Sequence, residues 1–182
     1  MPHFYESVPP VIHVDGECEL RASSVEEGNA VARAIVDNLS HFSRWFPWAT
    51  VDYSPERYIQ WLTALPPWEE GQWEFSIYMK QLDDTYDFVG RISAFINPQD
   101  TFELGYWLVP IAQGKGIMTQ AICALEELMK ERGIETTEIW VEVGNERSLQ
   151  VAVRNGYKEI RRDAHRQSNP GVEHIVLSKQ LF

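Results

Sequence analysis

The sequence is poor in cysteine and contains no long apolar run. Its two cysteines, Cys18 and Cys123, are too far apart in the chain for a metal-ligand spacing, and they form no disulfide framework. The five histidines show no ligand spacing either. The apolar runs are too short to span a bilayer, and the first ten residues lack the basic start and apolar core of a signal peptide. We therefore expect a cytoplasmic protein with no metal and no membrane partner.

Positive charge is also scarce. Lysine and arginine total 16 against 27 aspartates and glutamates, which gives a formal net charge of -11 at pH 7. Such a field repels nucleic acid and favours cationic partners. An acidic surface also keeps a cytoplasmic protein soluble. The charge therefore disfavours nucleic-acid binding more firmly than it favours any one substrate.

Apolar and aromatic residues are abundant. The chain of 182 residues is 44% hydrophobic and includes seven Trp, seven Tyr and eight Phe. This is enough material for one well-buried domain and not obviously for two. We expect residues 1–16 to form a loose N-terminal lead-in and residues 17–182 to form that domain.

The apolar spacing predicts an α/β (α+β) fold, with one central mixed, mostly antiparallel sheet flanked by helices. Three strands with short connections form an antiparallel meander in the middle of the chain. Two helical patterns precede them, and a helix, strand, helix and strand follow. The predicted strands cover residues 19–22, 75–79, 92–96, 101–109, 139–143 and 175–177, and the predicted helices cover 25–39, 55–65, 118–132 and 146–155.

Residues 106–121, YWLVPIAQGKGIMTQA, join a strand to a helix through a loop with two glycines. Gly114 and Gly116 remove side chains where the backbone must turn sharply and approach a ligand closely. The amides from Ile117 onward would be the unpaired N–H groups of a helix N-terminus, which bind phosphate well. The segment therefore predicts a site for a pyrophosphate-bearing cofactor.

Two familiar nucleotide sites do not fit this loop. A dinucleotide fingerprint needs a third glycine after Gly114 and Gly116, and residues 117–119 are Ile, Met and Thr. A P-loop needs G-x-x-x-x-G-K-[ST], which is absent. The preceding strand also belongs to an antiparallel meander rather than to a parallel βαβ unit.

Residues 113–118, QGKGIM, resemble the Q/R-x-x-G-x-G/A signature of the GCN5-related N-acetyltransferases (GNAT), with Met118 in place of Gly or Ala. With ELGYWL at 103–108 and NERSLQVAVRNGYK at 145–158, the chain is similar to the ribosomal-protein N-terminal acetyltransferases of the Rim type (RimJ/RimL-like). The resemblance covers residues 20–181. It implies direct transfer of an acetyl group from acetyl-CoA, used as co-substrate without a metal, to an amine, with a protein N-terminal α-amine as the leading acceptor.

The same resemblance implies how acetyl-CoA is held. A splayed strand pair exposes backbone groups that bond the pantetheine arm, and the glycine loop holds the diphosphate. The implied cofactor-binding residues are Trp107, Leu108, Val109, Gln113, Gly114, Lys115, Gly116, Ile117, Met118, Thr119 and Asn145.

The reaction requires a base, because amines with pKa values of about 8–10 are mostly protonated at pH 7 and attack only when neutral. Glu103, in the strand before the loop, is the expected base, followed by Glu142 and then Glu74. Many family members carry a tyrosine that protonates the thiolate at the position of Ala152. Here Ser148 resembles the serine assigned to that role in Rim-type members. Because a hydroxyl is a poor acid, we expect Ser148 to donate a hydrogen bond to the thiolate rather than a proton.

The aromatic segment HFSRWFPWAT at residues 41–50 resembles the wall of the acceptor site in Rim-type relatives, and Trp45 and Trp48 are the candidate substrate contacts. Two alternatives to an N-terminal acceptor stay open. One is a small cationic amine, such as a polyamine, an amino acid or an aminoglycoside. The other is a CoA-binding module without catalysis. A monomer or a homodimer is expected.

Overall fold

One eight-stranded sheet organises the chain, with the strands in the order β1-β2-β3-β4-β5-β6-β8-β7. The computed structural model describes residues 9–14, 17–66, 70–97, 101–166 and 169–182. Within these residues the neighbouring strands are antiparallel except β5 and β6, which are parallel. The predicted meander is confirmed as β3–β5. The strands are β1 (Val11–His13), β2 (Cys18–Ala22), β3 (Gln72–Lys80), β4 (Tyr86–Ile96), β5 (Phe102–Leu108), β6 (Thr136–Glu142), β7 (Lys158–Asp163) and β8 (His174–Gln180).

Two strands do not follow from the apolar pattern. β1 lies inside the predicted lead-in, where three residues are too few to show an alternation. Residues 1–8 and 15–16 of that lead-in are outside the described part, and the domain boundary after residue 16 stays a prediction. β7 reads KEIRRD, and its single apolar residue, Ile160, is 52% exposed. As an edge strand with a bulge between Glu159 and Arg161, β7 needs no buried face of its own.

Helices cover both faces of the sheet. The predicted helix over residues 25–39 is instead a 3-10 turn (Val25–Glu27) followed by α1, and Asn38 separates α1 from α2. Ser54 caps α3 by accepting a hydrogen bond from the Arg57 N–H at 3.3 Å, as the Ser-Pro start predicts. The helices are α1 (Gly28–Asp37), α2 (Leu39–Phe42), α3 (Pro55–Thr63), α4 (Ile117–Glu131) and α5 (Glu146–Arg154).

Neighbouring residues of β5 show how the layers are arranged. The Trp107 ring packs edge-on against Phe42 of α2, with 5.0 Å between ring centroids. The Tyr106 hydroxyl lies 3.1 Å from the Ser148 hydroxyl of α5. Because successive side chains of a strand point to opposite faces, α2 and α5 lie on opposite sides of the sheet.

No helix among the described residues is long and apolar enough to cross a membrane.

Glu27 fastens the helical layer of α1–α3 to the sheet. Its carboxylate accepts hydrogen bonds from the Ser76 hydroxyl at 2.7 Å, the Tyr78 hydroxyl at 2.9 Å and the Tyr58 hydroxyl at 3.2 Å. It also accepts from the Ser24 N–H at 3.2 Å, which closes the predicted capping box. Tyr58 and Ser76 are fully buried. One carboxylate therefore joins the start of α1 to α3 and to β3.

We predict that Glu27→Ala lowers the free energy of unfolding by about 3 kcal/mol, because buried hydroxyls lose a charged acceptor. Chemical denaturation followed by circular dichroism measures the change. Glu26→Ala is the matched control, since Glu26 is exposed and adjacent, and it should leave the unfolding midpoint almost unchanged. Equal losses in both variants would show that helix propensity, rather than the Glu27 contacts, sets the stability of this layer.

Candidate active site

The sheet opens between β5 and β6. The two strands pair only through Phe102 with Thr137, Glu103 with Glu138, and Leu104 with Ile139. Beyond Leu104, β5 continues along β4, while beyond Ile139 β6 continues along β8. The predicted splayed strand pair is therefore confirmed, and the gap begins immediately after this short pairing.

Backbone groups of β5 face the gap. The Val109 N–H donates to the Val89 carbonyl at 2.9 Å, so Val109 is bonded on the β4 side. Because backbone groups alternate in direction along an antiparallel strand, Tyr106 and Leu108 direct theirs toward the gap. The Leu108 carbonyl accepts the Gln113 side-chain amide there at 3.0 Å. Leu108 thus has the geometry expected of a pantetheine partner, while the N–H of Val109 is engaged on the opposite side.

The glycine loop has the backbone shape that its composition predicts. Gly114 and Gly116 adopt positive φ values of 77° and 81°, and a Cβ added at either would meet no atom within 4 Å. The 15-residue helix α4 begins at Ile117, so its first amides have no carbonyl of their own helix to bond. Met118 is only 5% exposed and belongs to the core. Its side chain therefore leaves the outer surface of the loop open, although the family signature has a small residue there.

A cleft of about 1350 Å³ runs from the glycine loop into the gap between the strands. All predicted cofactor residues except Val109 and Lys115 line it, and Trp45 and Ser148 line it too. Glu103 and Trp48 do not. No cluster of three or more histidine, cysteine, aspartate or glutamate side chains in the described residues is arranged to hold a metal.

The cleft is locally cationic in an acidic protein. It gathers four basic residues against two acidic ones, and this imbalance suits the phosphates of CoA. Arg147 donates to the Gln113 side-chain carbonyl at 2.6 Å and so ties α5 to the loop. Sequence reasoning missed this cluster because it draws on three separate parts of the chain: the turn after α2, the helix α5, and the segment after β7. The basic residues are Arg44, Arg147, Arg154 and Arg166, and the acidic ones are Glu142 and Glu146.

Asn145 and Ser148 lie together at the start of α5. The Asn145 side chain accepts the Ser148 N–H at 3.3 Å, which is a helix cap. The Tyr106 hydroxyl lies 3.1 Å from the Ser148 hydroxyl and 3.2 Å from its carbonyl. Burial raises the pKa of Tyr106 to about 12, so this hydroxyl is protonated at neutral pH. Strand alternation, which sends Tyr106 and Trp107 to opposite faces, could have identified it beforehand.

Glu103 is buried, with 4% of its surface exposed, and its carboxylate pairs with Arg166. Burial raises its pKa to about 7; Arg166 opposes that rise, and the neighbouring Glu138 adds to it. Glu103 does not itself line the cleft, whereas Arg166 does. The predicted base therefore has a pKa suited to neutral pH and lies behind an arginine.

Of the other candidate bases, Glu142 and His174 lie opposite each other across β6 and β8, whereas Glu74 lies elsewhere. Glu142 lines the cleft near the end of β6. His174, which sequence reasoning passed over, also lines it, and its Nδ1 donates to the Val172 carbonyl at 2.8 Å. Burial lowers the pKa of His174 and so favours the neutral ring. Glu74 instead pairs with Arg91 at 3.0 Å and faces a second cavity.

The comparisons with known proteins agree with this geometry. A sequence model of the acetyltransferase (GNAT) domain matches residues 19–158. A putative ribosomal N-acetyltransferase of Bacillus subtilis (strain 168), YdaF, is 26% identical over 149 residues, which is 80% of each chain. The ribosomal-protein-serine acetyltransferase of Escherichia coli (strain K12) is 43% identical over 58 residues, covering 31% of this chain and 32% of that protein.

A solved structure of RimL, a ribosomal L7/L12 alpha-N-protein acetyltransferase in complex with coenzyme A, has the same fold. Its TM-score is 0.80 at 24% identity, and the match covers 93% of this chain and 97% of that one. The residues present fit acetyl-CoA, because the loop leaves open space at both glycines and the cleft is lined by arginines. The chain therefore belongs to the GNAT family of acetyltransferases and is an acetyl-CoA-dependent acyltransferase.

Proposed function

We propose that this protein transfers the acetyl group of acetyl-CoA directly to the N-terminal α-amine of a protein. The observation that carries the proposal is the splayed cleft, with the glycine loop at one end and acid–base groups at the other. The acceptor class rests on the relatives, which are named as ribosomal-protein acetyltransferases. Neither Cys18 nor Cys123 lines the cleft, which supports transfer without a covalent acyl-enzyme.

The chain offers four sets of contacts to acetyl-CoA. The first amides of α4 face the diphosphate, since a helix N-terminus favours negative charge, and the adjacent Lys115 adds a cation beside the loop without lining the cleft. Arg147 and Arg154 add positive charge from α5. Backbone groups of β5 pair with the pantetheine amides as a ligand strand would. Asn145 keeps its capping bond and still lines the cleft beside that arm.

Glu103 acts as the general base through water. Its carboxylate is close enough to the acceptor end to bond Arg166, which lines the cleft, but it does not reach the wall itself. A bridging water can carry the proton from the amine to Glu103, since a general base can act through one intervening water molecule. Arg166 favours the ionised carboxylate that this step requires.

Ser148 donates a hydrogen bond to the departing thiolate, and Tyr106 orients it. The two hydroxyls lie 3.1 Å apart, and Tyr106 also contacts the Ser148 carbonyl. Ala152 is fully buried and has no polar group to offer. A hydroxyl from β5 therefore supports the serine where other members place a tyrosine on the helix.

The acceptor class is tested by measuring release of free thiol from acetyl-CoA with two sets of amines. One set contains short peptides with free N-termini, and the other contains polyamines, aminoglycosides and single amino acids. We expect peptides to accelerate thiol release and Nα-blocked copies of them to be inactive. Faster release with the small amines would replace the N-terminal acceptor. Binding of CoA without acceleration by any amine would leave only a binding module.

Glu103→Gln is predicted to lower kcat/KM at pH 7.5 by about 10²-fold while leaving acetyl-CoA affinity unchanged. In the wild type, kcat/KM falls as the pH drops below about 7, because Glu103 must be ionised to accept a proton. Ionisation of Glu103 gives the lower limb of this pH profile. Deprotonation of an acceptor α-amine of pKa about 8 gives a second limb at higher pH. Because Glu103→Gln removes the titrating carboxylate, the pH profile of this variant should retain only the limb that belongs to the acceptor amine.

Arg166→Gln provides a second test of Glu103 as the base, through the pH dependence of kcat/KM. Because Arg166 lowers the pKa of Glu103, its removal should shift the lower limb to higher pH. Glu142→Gln and His174→Asn are the comparison variants, and both should keep the limb near pH 7. If one of them abolishes that limb and Glu103→Gln does not, that residue is the base.

Ser148→Ala is predicted to lower kcat on the order of 10²-fold with an unchanged KM for acetyl-CoA, since it removes a donor that acts on the leaving group. Its backbone N–H to Asn145 is preserved. Tyr106→Phe should give a smaller loss, and the double variant should be no slower than Ser148→Ala alone. Additive losses would mean that Tyr106 acts independently. An unchanged kcat in Ser148→Ala would leave the serine a helix residue only.

A further inference from the structure

A second cavity, of about 380 Å³, lies on the face of the sheet covered by α1 and α3. It shares Phe46, Gly105, Tyr106 and Trp107 with the acetyl-CoA cleft. The two spaces therefore meet along β5, immediately beyond the point where β6 separates. A group bound in the second cavity would be adjacent to the reacting end of the cleft.

Flat aromatic surfaces form its walls. The rings of Phe46 and Trp48 stack with centroids 5.0 Å apart, and Trp48 and Tyr53 are 5.9 Å apart. Trp48 and Trp61 leave 37% and 39% of their surface exposed, although Trp is ordinarily well buried. Trp107 is held between Phe42 and Phe88 and completes the wall. Such surfaces favour a planar ring over a small or linear group.

The charges in this cavity disfavour a cation. The Arg91 guanidinium lies 4.5 Å from the Trp61 ring centroid, and that of Arg57 lies 5.5 Å from the Tyr53 ring centroid. Among the described residues, Glu74 is the carboxylate that lines the cavity, and it is already paired with Arg91 at 3.0 Å. An entering ammonium group would face two guanidinium groups with no unpaired carboxylate. A neutral ring would stack on both the aromatic and the guanidinium planes.

We propose that this cavity binds an aromatic side chain of the acceptor, so that the protein prefers N-termini that begin with Phe, Tyr or Trp. The proposal rests on the proposed function. The α-amine would lie at the opening along residues 105–107, while the ring fills the space behind it. The side chains of Ala or Ser would leave most of the cavity empty and would forgo the free energy of apolar burial.

The test uses six peptides that differ only in the first residue: Phe, Tyr, Trp, Leu, Ala and Lys. Thiol release from acetyl-CoA should give a kcat/KM for the aromatic peptides at least about tenfold above that for Ala, with Lys no better than Ala. Calorimetric titration of the same peptides without acetyl-CoA should show tighter binding of Phe than of Ala. Ala or Lys peptides that equal the aromatic ones in both measurements would overturn the proposal.

Trp48→Ala and Trp61→Ala locate the preference. Each should lower the ratio of kcat/KM for the Phe peptide to kcat/KM for the Ala peptide by about tenfold. Phe182→Ala is the matched control, since Phe182 is 77% exposed and lies outside both cavities. An unaltered Phe preference in both tryptophan variants would place the discrimination elsewhere and refute this cavity.

The proposed function and the aromatic preference are contradicted by different results. If no peptide accelerates thiol release but Phe still binds more tightly than Ala, the proposed N-terminal transfer is wrong and the aromatic cavity stands. If peptides are acetylated without preference for aromatic residues, the function stands and the cavity assignment is wrong.

Discussion

The site depends on the point where β5 and β6 stop pairing. Glu103 and Glu138 lie directly opposite each other in this short parallel pairing, and two buried carboxylates there require cations. Arg161 binds Glu138 through two hydrogen bonds of 3.0 and 3.2 Å, and Arg166 binds Glu103. The same juxtaposition helps raise the pKa of Glu103 toward neutrality. The junction that opens the sheet therefore also gives the site its candidate base.

β5 serves both sides of the opened sheet because its side chains alternate. Tyr106 points toward α5 and bonds Ser148, while Trp107 points toward α2 and forms a wall of the second cavity. Gly105, which precedes these two residues, lines both cavities and has no side chain to separate them. Three consecutive residues of one strand thus contact Ser148, line both cavities and form the aromatic wall.

The sequence predicts those parts whose signal is local. The meander has a period of two, the glycine loop has a composition that favours positive φ, and Asn145 is a residue type that caps helices, here by accepting the Ser148 N–H. β7 was not predicted, because an edge strand needs no apolar face and so shows no alternating pattern. Arg166 and His174 were not predicted as site residues. The fold brings them to the cleft, and neither their spacing nor the composition indicates that position. Glu103 was predicted as the base by resemblance, and its position behind Arg166 is visible only in the structure.

Net charge and local charge point in opposite directions. The total of -11 favours cationic acceptors, yet both spaces that meet at β5 are lined by arginines. The electrostatic field of the whole protein acts over a screening length of about 10 Å or less at physiological salt. It therefore affects how an acceptor approaches the protein more than which group binds inside the site. Contacts inside a buried cavity are screened much less and decide which group can stay. With the proposed N-terminal acceptor, the acidic surface would attract a basic protein, while the second cavity would select its first residue by shape and stacking.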